Sequence, residues 1–366
     1  MRILHLADGP RNIRAERAAL LAKQIGKYKL FITGNITQKI IEKDIFEKNY
    51  YLPLQPRNLV GLQLKNILEE LKSIIEEVDP DLIHTHNIFM ANIAQKLDVP
   101  FVYDDHELWS QEIKYSKKTS IKGMGTKTLQ KILYPRWEEQ IATSKVIFVP
   151  STGIQRFYKK KYDSRYVFKL PNMPLLNEVN KIEFNEPVKK ELHTVAIGVR
   201  TTSKFSSRNI DEFINLWEEK SSIGKLIIIG QNDLESKKNL ISTGRISHFE
   251  CYQVASTAHV GIIPFKPHPY HEFSGANKAY IYLHSGLVLV VPETQKEFTK
   301  IIDDLDQGFY FNNYQQIATY LEEHKKDLLN IDKKSIIDIA REQFVLDNYQ
   351  ENLIQGYKIA LEKQEE

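Results

Sequence analysis

The 366-residue chain has a single cysteine, Cys251, which excludes a disulfide framework and a cysteine-based zinc site and fits a reducing compartment. No apolar run approaches the roughly 20 residues that span a bilayer as a helix. Neither sign of charge dominates: 50 Lys and Arg stand against 47 Asp and Glu, so a dedicated nucleic-acid binder is not expected. There is no repeat of 20–50 residues and no low-complexity tract. With 42% hydrophobic and 27% charged residues, wholesale disorder, collagen and coiled coil are excluded. The opening Met1–Gly9 turns polar too soon for a signal peptide and reads as a first strand.

What is present is an alternation of short apolar runs with helical periodicity. Arg2–Ala7, Lys29–Thr33, Asp81–Thr85, Val99–Tyr103 and Val146–Val149 read as strands. Between them, Ala18, Leu21, Ala22 and Ile25 recur at helical spacing before Gly26, and Leu64 to Val78 do the same before Asp79-Pro80. The pattern restarts with Thr194–Ile197, Leu226–Ile229, Val260–Ile263 and Leu287–Val291, and helices close the chain near Tyr314–Glu323, Lys333–Gln343 and Asn348–Lys363. The length suits two domains. The expectation is an α/β protein with two doubly wound domains, 1–172 and 193–345, joined by a polar linker over 173–192 and followed by a helical segment over 346–366. Two such domains place a ligand cleft against the carboxyl ends of their sheets.

Four segments carry a family resemblance. Asp79-Pro80-Asp81-Leu82-Ile83-His84-Thr85-His86 forms one, and Asp104-Asp105-His106-Glu107-Leu108-Trp109 another. Gly244-Arg245-Ile246 with Ala258-His259-Val260-Gly261-Ile262-Ile263-Pro264 is the third, and Asn277-Lys278-Ala279-Tyr280-Ile281-Tyr282-Leu283-His284-Ser285-Gly286 the fourth. In this order they resemble the group 1 (family 4) retaining glycosyltransferases of the GT-B fold, over nearly the whole chain. The resemblance implies two Rossmann-like domains facing across a cleft. It implies transfer of a sugar from a nucleotide sugar to a glycan or lipid-linked acceptor with retention, in surface polysaccharide or glycoconjugate biosynthesis. It also implies that the last helix returns to the first domain.

A departing nucleoside diphosphate builds negative charge, which fixed cations or the N-terminus of a helix can meet without a metal. The run Glu272-Phe273-Ser274-Gly275-Ala276-Asn277-Lys278 before a helix suits that task, with Ser274 and Gly275 allowing a tight turn. After the strand Thr194–Ile197, Gly198 opens a loop holding Arg200, Lys204 and Arg208, a candidate phosphate clamp whose true pair the sequence leaves open. The resemblance carries donor contacts to these residues and to Ile246, and a catalytic role to His106 and Glu272. It carries acceptor contacts to Gly9 and Arg14 in the loop after the first strand. One departure matters: the family's second donor glutamate, which bonds the ribose, falls on Ile281, and its first falls on Phe273 beside Glu272. Tyr280 and Tyr282 are alternative ribose partners.

No cofactor is expected beyond the donor itself. His84 and His86 fall on one face of a strand, and His268 and His271 are close in sequence, but no four-ligand spacing exists, so no metal site is expected. Gly123-Met124-Gly125 follows no strand and is not a dinucleotide fingerprint. The basic residues Lys114, Lys117, Lys118, Lys122, Lys127, Lys131 and Arg136, interleaved with apolar ones over 114–136, suit an anionic membrane surface as well as a solvated face. The expected location is cytoplasmic, with peripheral attachment to the inner face of the cell membrane. A non-catalytic scaffold relative, motivated by Ile281, and a nucleotide-sugar epimerase are the competing readings.

Overall fold

The structure, a computed structural model, describes residues 1–8, 12–34, 45–52, 61–116, 121–185, 187, 190–198, 210–230 and 234–362. Thirteen strands run in chain order: β1 (Arg2–Ala7), β2 (Lys29–Gly34), β3 (Lys48–Tyr51), β4 (Leu82–His86), β5 (Phe101–Asp104), β6 (Val146–Val149), β7 (Val167–Lys169), β8 (His193–Ile197), β9 (Lys225–Ile229), β10 (Leu240–Gly244), β11 (Val260–Ile262), β12 (Val288–Pro292) and β13 (Phe309–Phe311). They form two sheets, β3-β2-β1-β4-β5-β6-β7 and β10-β9-β8-β11-β12-β13. Every pairing between these strands is parallel, as helical crossovers require. Both sheets reverse direction once, between β1 and β4 and between β8 and β11, the positions where ligands bind in doubly wound folds.

The chain forms two compact units. One holds Met1–Lys114, Ile121–Asn172 and Leu346–Glu366, the other Tyr115–Ser120 and Met173–Val345. Residues 173–192 thus fall within the second unit, where Leu175 and Val179 are buried.

The sequence patterns explain the elements. Helix Ile13–Ile25 begins where the Asn12 side chain accepts from the Ala15 amide at 3.0 Å, and it stops at Gly26. Its Ala15, Ala18, Ala19 and Ala22 are fully buried, so this helix lies close against its neighbours. Helix Gln350–Glu362 packs on β6 through Gly356, where a Cβ would come within 2.4 Å of Phe148 Cζ. That close approach brings the Tyr357 hydroxyl to His84 Nδ1, 2.8 Å away.

Four strands lie outside the apolar runs read from the sequence: β3, β7, β10 and β13. They are the two edges of each sheet. Edge strands here are only 3–5 residues long and incompletely buried, so their sequences lack the apolar run that marks the interior strands.

Candidate functional site

In the first unit, polar side chains gather at the carboxyl ends of β1, β4 and β5. His5 and His84 are register partners across β1 and β4, and His84 and His86 share one face of β4. The rings stack, with centroids 5.0 Å apart for His5 and His84 and 4.5 Å for His84 and His86. Burial drives all three toward the neutral imidazole: it lowers His5 and His84 below the usual histidine range and His86 to about 3.

Asp104, the last residue of β5, lies among them. Burial alone would push its carboxyl up. Arg14 beside it, aided by His106, His84 and His86, overturns that and holds the group well below the usual carboxylate range. Arg14 stands in the first turn of helix Ile13–Ile25. Its Nε donates to both Asp104 oxygens at 2.8 Å, its Nη2 to Oδ1 at 2.5 Å, and its Nη1 to Asn172 Oδ1 at 2.8 Å. His106 follows two residues after Asp104. Its Nε2 is 3.5 Å from Asp104 Oδ2 and 3.3 Å from His86 Nδ1, and its side chain is 23% exposed. Of the acids flanking His106, Asp105 faces inward, accepting from the Tyr103 and Tyr158 hydroxyls at 2.7 and 2.9 Å, and Glu107 is exposed.

The Asp8 carboxyl is pushed up by burial, an effect opposed by His106 and by a hydrogen bond from Asn87. Asn87 itself takes φ 89° and caps helix Ile88–Ala94, its Oδ1 accepting from the amides of Phe89 and Met90. Gly9 lies outside the described residues. Two candidates from the sequence, His106 and Arg14, are thus brought together through Asp104, which was not singled out. The sequence carries it only as the first residue of the Asp104–Trp109 segment, 90 residues from Arg14.

In the second unit, β8, β9 and β10 end in glycine turns. Gly198 takes φ +63° and Gly230 φ +108°, conformations that L side chains rarely adopt. The Gly198 amide donates to Ile229 O at 2.8 Å, and a Cβ on Gly230 would stand 3.4 Å from Gly198 Cα. Lys278, in the first turn of helix Asn277–His284, reaches this turn. Its Nζ lies 3.7 Å from the site of a Cβ on Gly198 and 4.6 Å from the Phe265 ring centroid.

A short 3₁₀ helix, Pro269–Phe273, carries the chain toward that helix. His268 caps it, its Nδ1 accepting from the Tyr270 amide at 3.2 Å. Glu272 is exposed on it, and Phe273, Ser274, Gly275, Ala276 and Ile246 are half-buried. The turn at Ser274 and Gly275 is made in extended backbone (Ser274 φ −88°, ψ 129°), so it does not draw on a left-handed glycine. Arg200, Lys204 and Arg208 lie outside the described residues.

Tyr282 lies at the reversal point of this sheet. β8 and β11 pair only through Val260–Thr194 and Gly261–Val195 and then part. The Tyr282 hydroxyl closes the gap, accepting from the Ile197 amide at 2.8 Å and donating to Ile262 O at 3.0 Å. Its ring lies where a Gly261 Cβ would be, 2.2 Å from Tyr282 Cγ. Committed to main chain and fully buried, Tyr282 is not the ribose partner considered above, and Tyr280 is buried too. Ile281 is 3% exposed, a core residue of the helix.

Residues 39–170 match the model of Glycosyltransferase Family 4. The match spans just over a third of the chain and includes Asp104 and His106. No curated protein sequence matches the chain. Among solved structures, sucrose-phosphate synthase from Thermosynechococcus elongatus is 13% identical, with 98% of each chain covered and a TM-score of 0.68. HepE from Anabaena, solved in complex with UDP-glucose, is 11% identical, with 98% of this chain and 100% of that one covered and a TM-score of 0.69. UDP-GlcNAc 2-epimerase from Methanocaldococcus jannaschii is 11% identical, with 93% and 99% covered and a TM-score of 0.53. The two parallel sheets with their helices match the GT-B fold of the glycosyltransferase neighbours. Because that architecture also serves an epimerase, it does not by itself fix the reaction.

Proposed function

We propose that this chain is a glycosyltransferase that moves a sugar from a nucleotide-sugar donor to a glycan or lipid-linked acceptor, with retention at the anomeric carbon, in surface polysaccharide or glycoconjugate biosynthesis. The observation that carries this reading is the Lys278 ammonium beside the Gly198 turn, in the first turn of helix Asn277–His284. A leaving diphosphate gains charge as the glycosidic bond breaks. An ammonium and a polarised helix N-terminus stabilise that charge without a metal between the phosphates. By the resemblance, Arg200, Lys204 and Arg208 add cations from the loop after Gly198, and Phe273 to Asn277 with Ile246 line the donor. Residues 193–345 then bind the donor and residues 1–172 the acceptor. His106 meets the transferred sugar or the acceptor, Glu272 assists from the donor loop, and Arg14 is held on the acceptor side by Asp104.

The second reading, a non-catalytic scaffold subunit, is favoured by Ile281. A buried apolar side chain stands where the family uses a glutamate for the ribose, and it cannot accept a hydrogen bond. Incubation with a panel of nucleotide sugars separates the readings. Release of nucleoside diphosphate, with the anomeric configuration of the product read by NMR, supports the transferase. Binding without release for any donor and acceptor supports the scaffold. Interconversion of the sugar while still attached to nucleotide supports an epimerase.

No helix among the described residues is long and apolar enough to cross a membrane. Attachment to an anionic surface would use helix Ile121–Ser144, where Leu129 is 56% and Ile132 48% exposed beside exposed Lys131 and Arg136. Lys127 is buried and cannot contribute, and Lys117 and Lys118 lie outside the described residues. Flotation with phosphatidylglycerol vesicles at low salt tests this attachment, and failure to float removes it.

A further inference from the structure

His86 Nδ1, Asp104 Oδ2 and His106 Nε2 form a nearly equilateral triangle with sides of 3.3, 3.4 and 3.5 Å. The two histidine–carboxylate separations exceed the usual 2.7–3.2 Å of an N–H···O hydrogen bond, and the third is a long contact between two ring nitrogens. They match the edge of a tetrahedron around zinc: metal–ligand distances of 2.0–2.2 Å give an edge of roughly 3.3–3.6 Å.

The surroundings orient two of the three atoms, those of His86 and Asp104, as metal ligands are oriented. The other nitrogen of His86, Nε2, is 3.0 Å from His5 Nδ1. A proton on Nε2 donated to His5 leaves the Nδ1 lone pair facing the triangle, the arrangement metal-bound histidines adopt. Asp104 is held in place by Arg14, which takes both oxygens through Nε and Oδ1 again through Nη2. The Arg14 charge opposes a second cation nearby, so this site is weaker than a closed four-ligand structural one. His86 and Asp104 are fully buried, and His106 is the member open to solvent, so a fourth ligand would approach from that side.

We propose that His86, Asp104 and His106 bind a divalent transition-metal ion of the zinc class, with a fourth position open to water or to a hydroxyl-bearing ligand. Two histidines and a carboxylate with an open position are the donor set of catalytic zinc, which acidifies a bound water or hydroxyl. The site uses the first unit alone and stands whether or not the chain transfers sugars. Sequence spacing could not reveal it, because its donors come from the ends of two strands and the turn that follows.

The test uses the full chain, stripped with chelator and titrated with zinc by equilibrium dialysis and with cobalt(II) by visible absorption. Wild type is expected to bind one equivalent and to show the intense bands of four-coordinate cobalt. His106→Ala, at a half-exposed position, is expected to keep its fold by circular dichroism and to bind at least tenfold more weakly. His84→Gln should bind as wild type. No stoichiometric binding by folded wild type, or equal binding by His106→Ala, overturns the proposal. Loss in His84→Gln but not in His106→Ala also overturns it, by moving the ion to the stack of His5, His84 and His86.

Discussion

The Lys278 ammonium and Gly198 are neighbours: Nζ lies 3.7 Å from where a Cβ on Gly198 would stand. This ties the first turn of helix Asn277–His284 to the end of β8 and puts a cation over a stretch of backbone without side chains. Gly198→Ala would hold an alanine at φ +63°, at a cost of roughly 1–2 kcal/mol. A lower unfolding midpoint in urea is expected. The Cβ would meet Nζ at ordinary contact distance, so nucleotide affinity should fall less than in Lys278→Ala.

Arg14 compensates a carboxylate that is fully buried. Removing it by Arg14→Gln leaves Asp104 without its cation and should cost about 3–5 kcal/mol in urea unfolding at pH 7. The double variant Arg14→Gln/Asp104→Asn should lose less than the sum of the single changes. The pH dependence has a definite sign. The folded pKa of Asp104 lies below its unfolded value of about 3.9, so its contribution is present above that pH and disappears as pH falls further.

Glu138 behaves oppositely. Burial raises its carboxyl to about 7, although the Ser110 amide donates to it at 2.7 Å. The folded pKa exceeds the unfolded one, so stability declines as pH rises from about 4.5 to about 7. Glu138→Gln carries no charge and should escape that decline. Urea unfolding is expected to find it more stable than wild type at pH 8, by about 3 kcal/mol at most, and nearly equal only below the unfolded carboxyl's pKa, at about pH 4.

The Tyr282 hydroxyl serves two main-chain groups where β8 and β11 part. Tyr282→Phe leaves the Ile197 amide and the Ile262 carbonyl unpaired in a buried setting, at about 1–3 kcal/mol for each. Gly261→Ala should be worse, because its Cβ would fall 2.2 Å from Tyr282 Cγ and neither ring nor strand can move away cheaply. Thermal unfolding of both variants tests this order.

The interior strands were legible because burial on both faces forces an apolar run, as in Val146–Val149 and Leu226–Ile229. The edge strands β3, β7, β10 and β13 carry no such demand. In the site, His106 and Arg14 stood out through the residues around them, and Lys278 through its place at a helix start. Their partners did not. Asp104 is paired with Arg14 across 90 residues, and Tyr282 fits over Gly261 only once the helix is laid on β11. The stack of His5, His84 and His86 exists because β1 and β4 pair in one particular register, which no local pattern specifies.

Isothermal titration of UDP, GDP, ADP and dTDP into wild type and Lys278→Ala tests the nucleoside diphosphate seat at Lys278. One diphosphate is expected to bind wild type and to bind Lys278→Ala at least tenfold more weakly, a loss of about 1.4 kcal/mol or more. Absence of binding to wild type at millimolar ligand, or equal affinity in the two proteins, would exclude a diphosphate seat at Lys278.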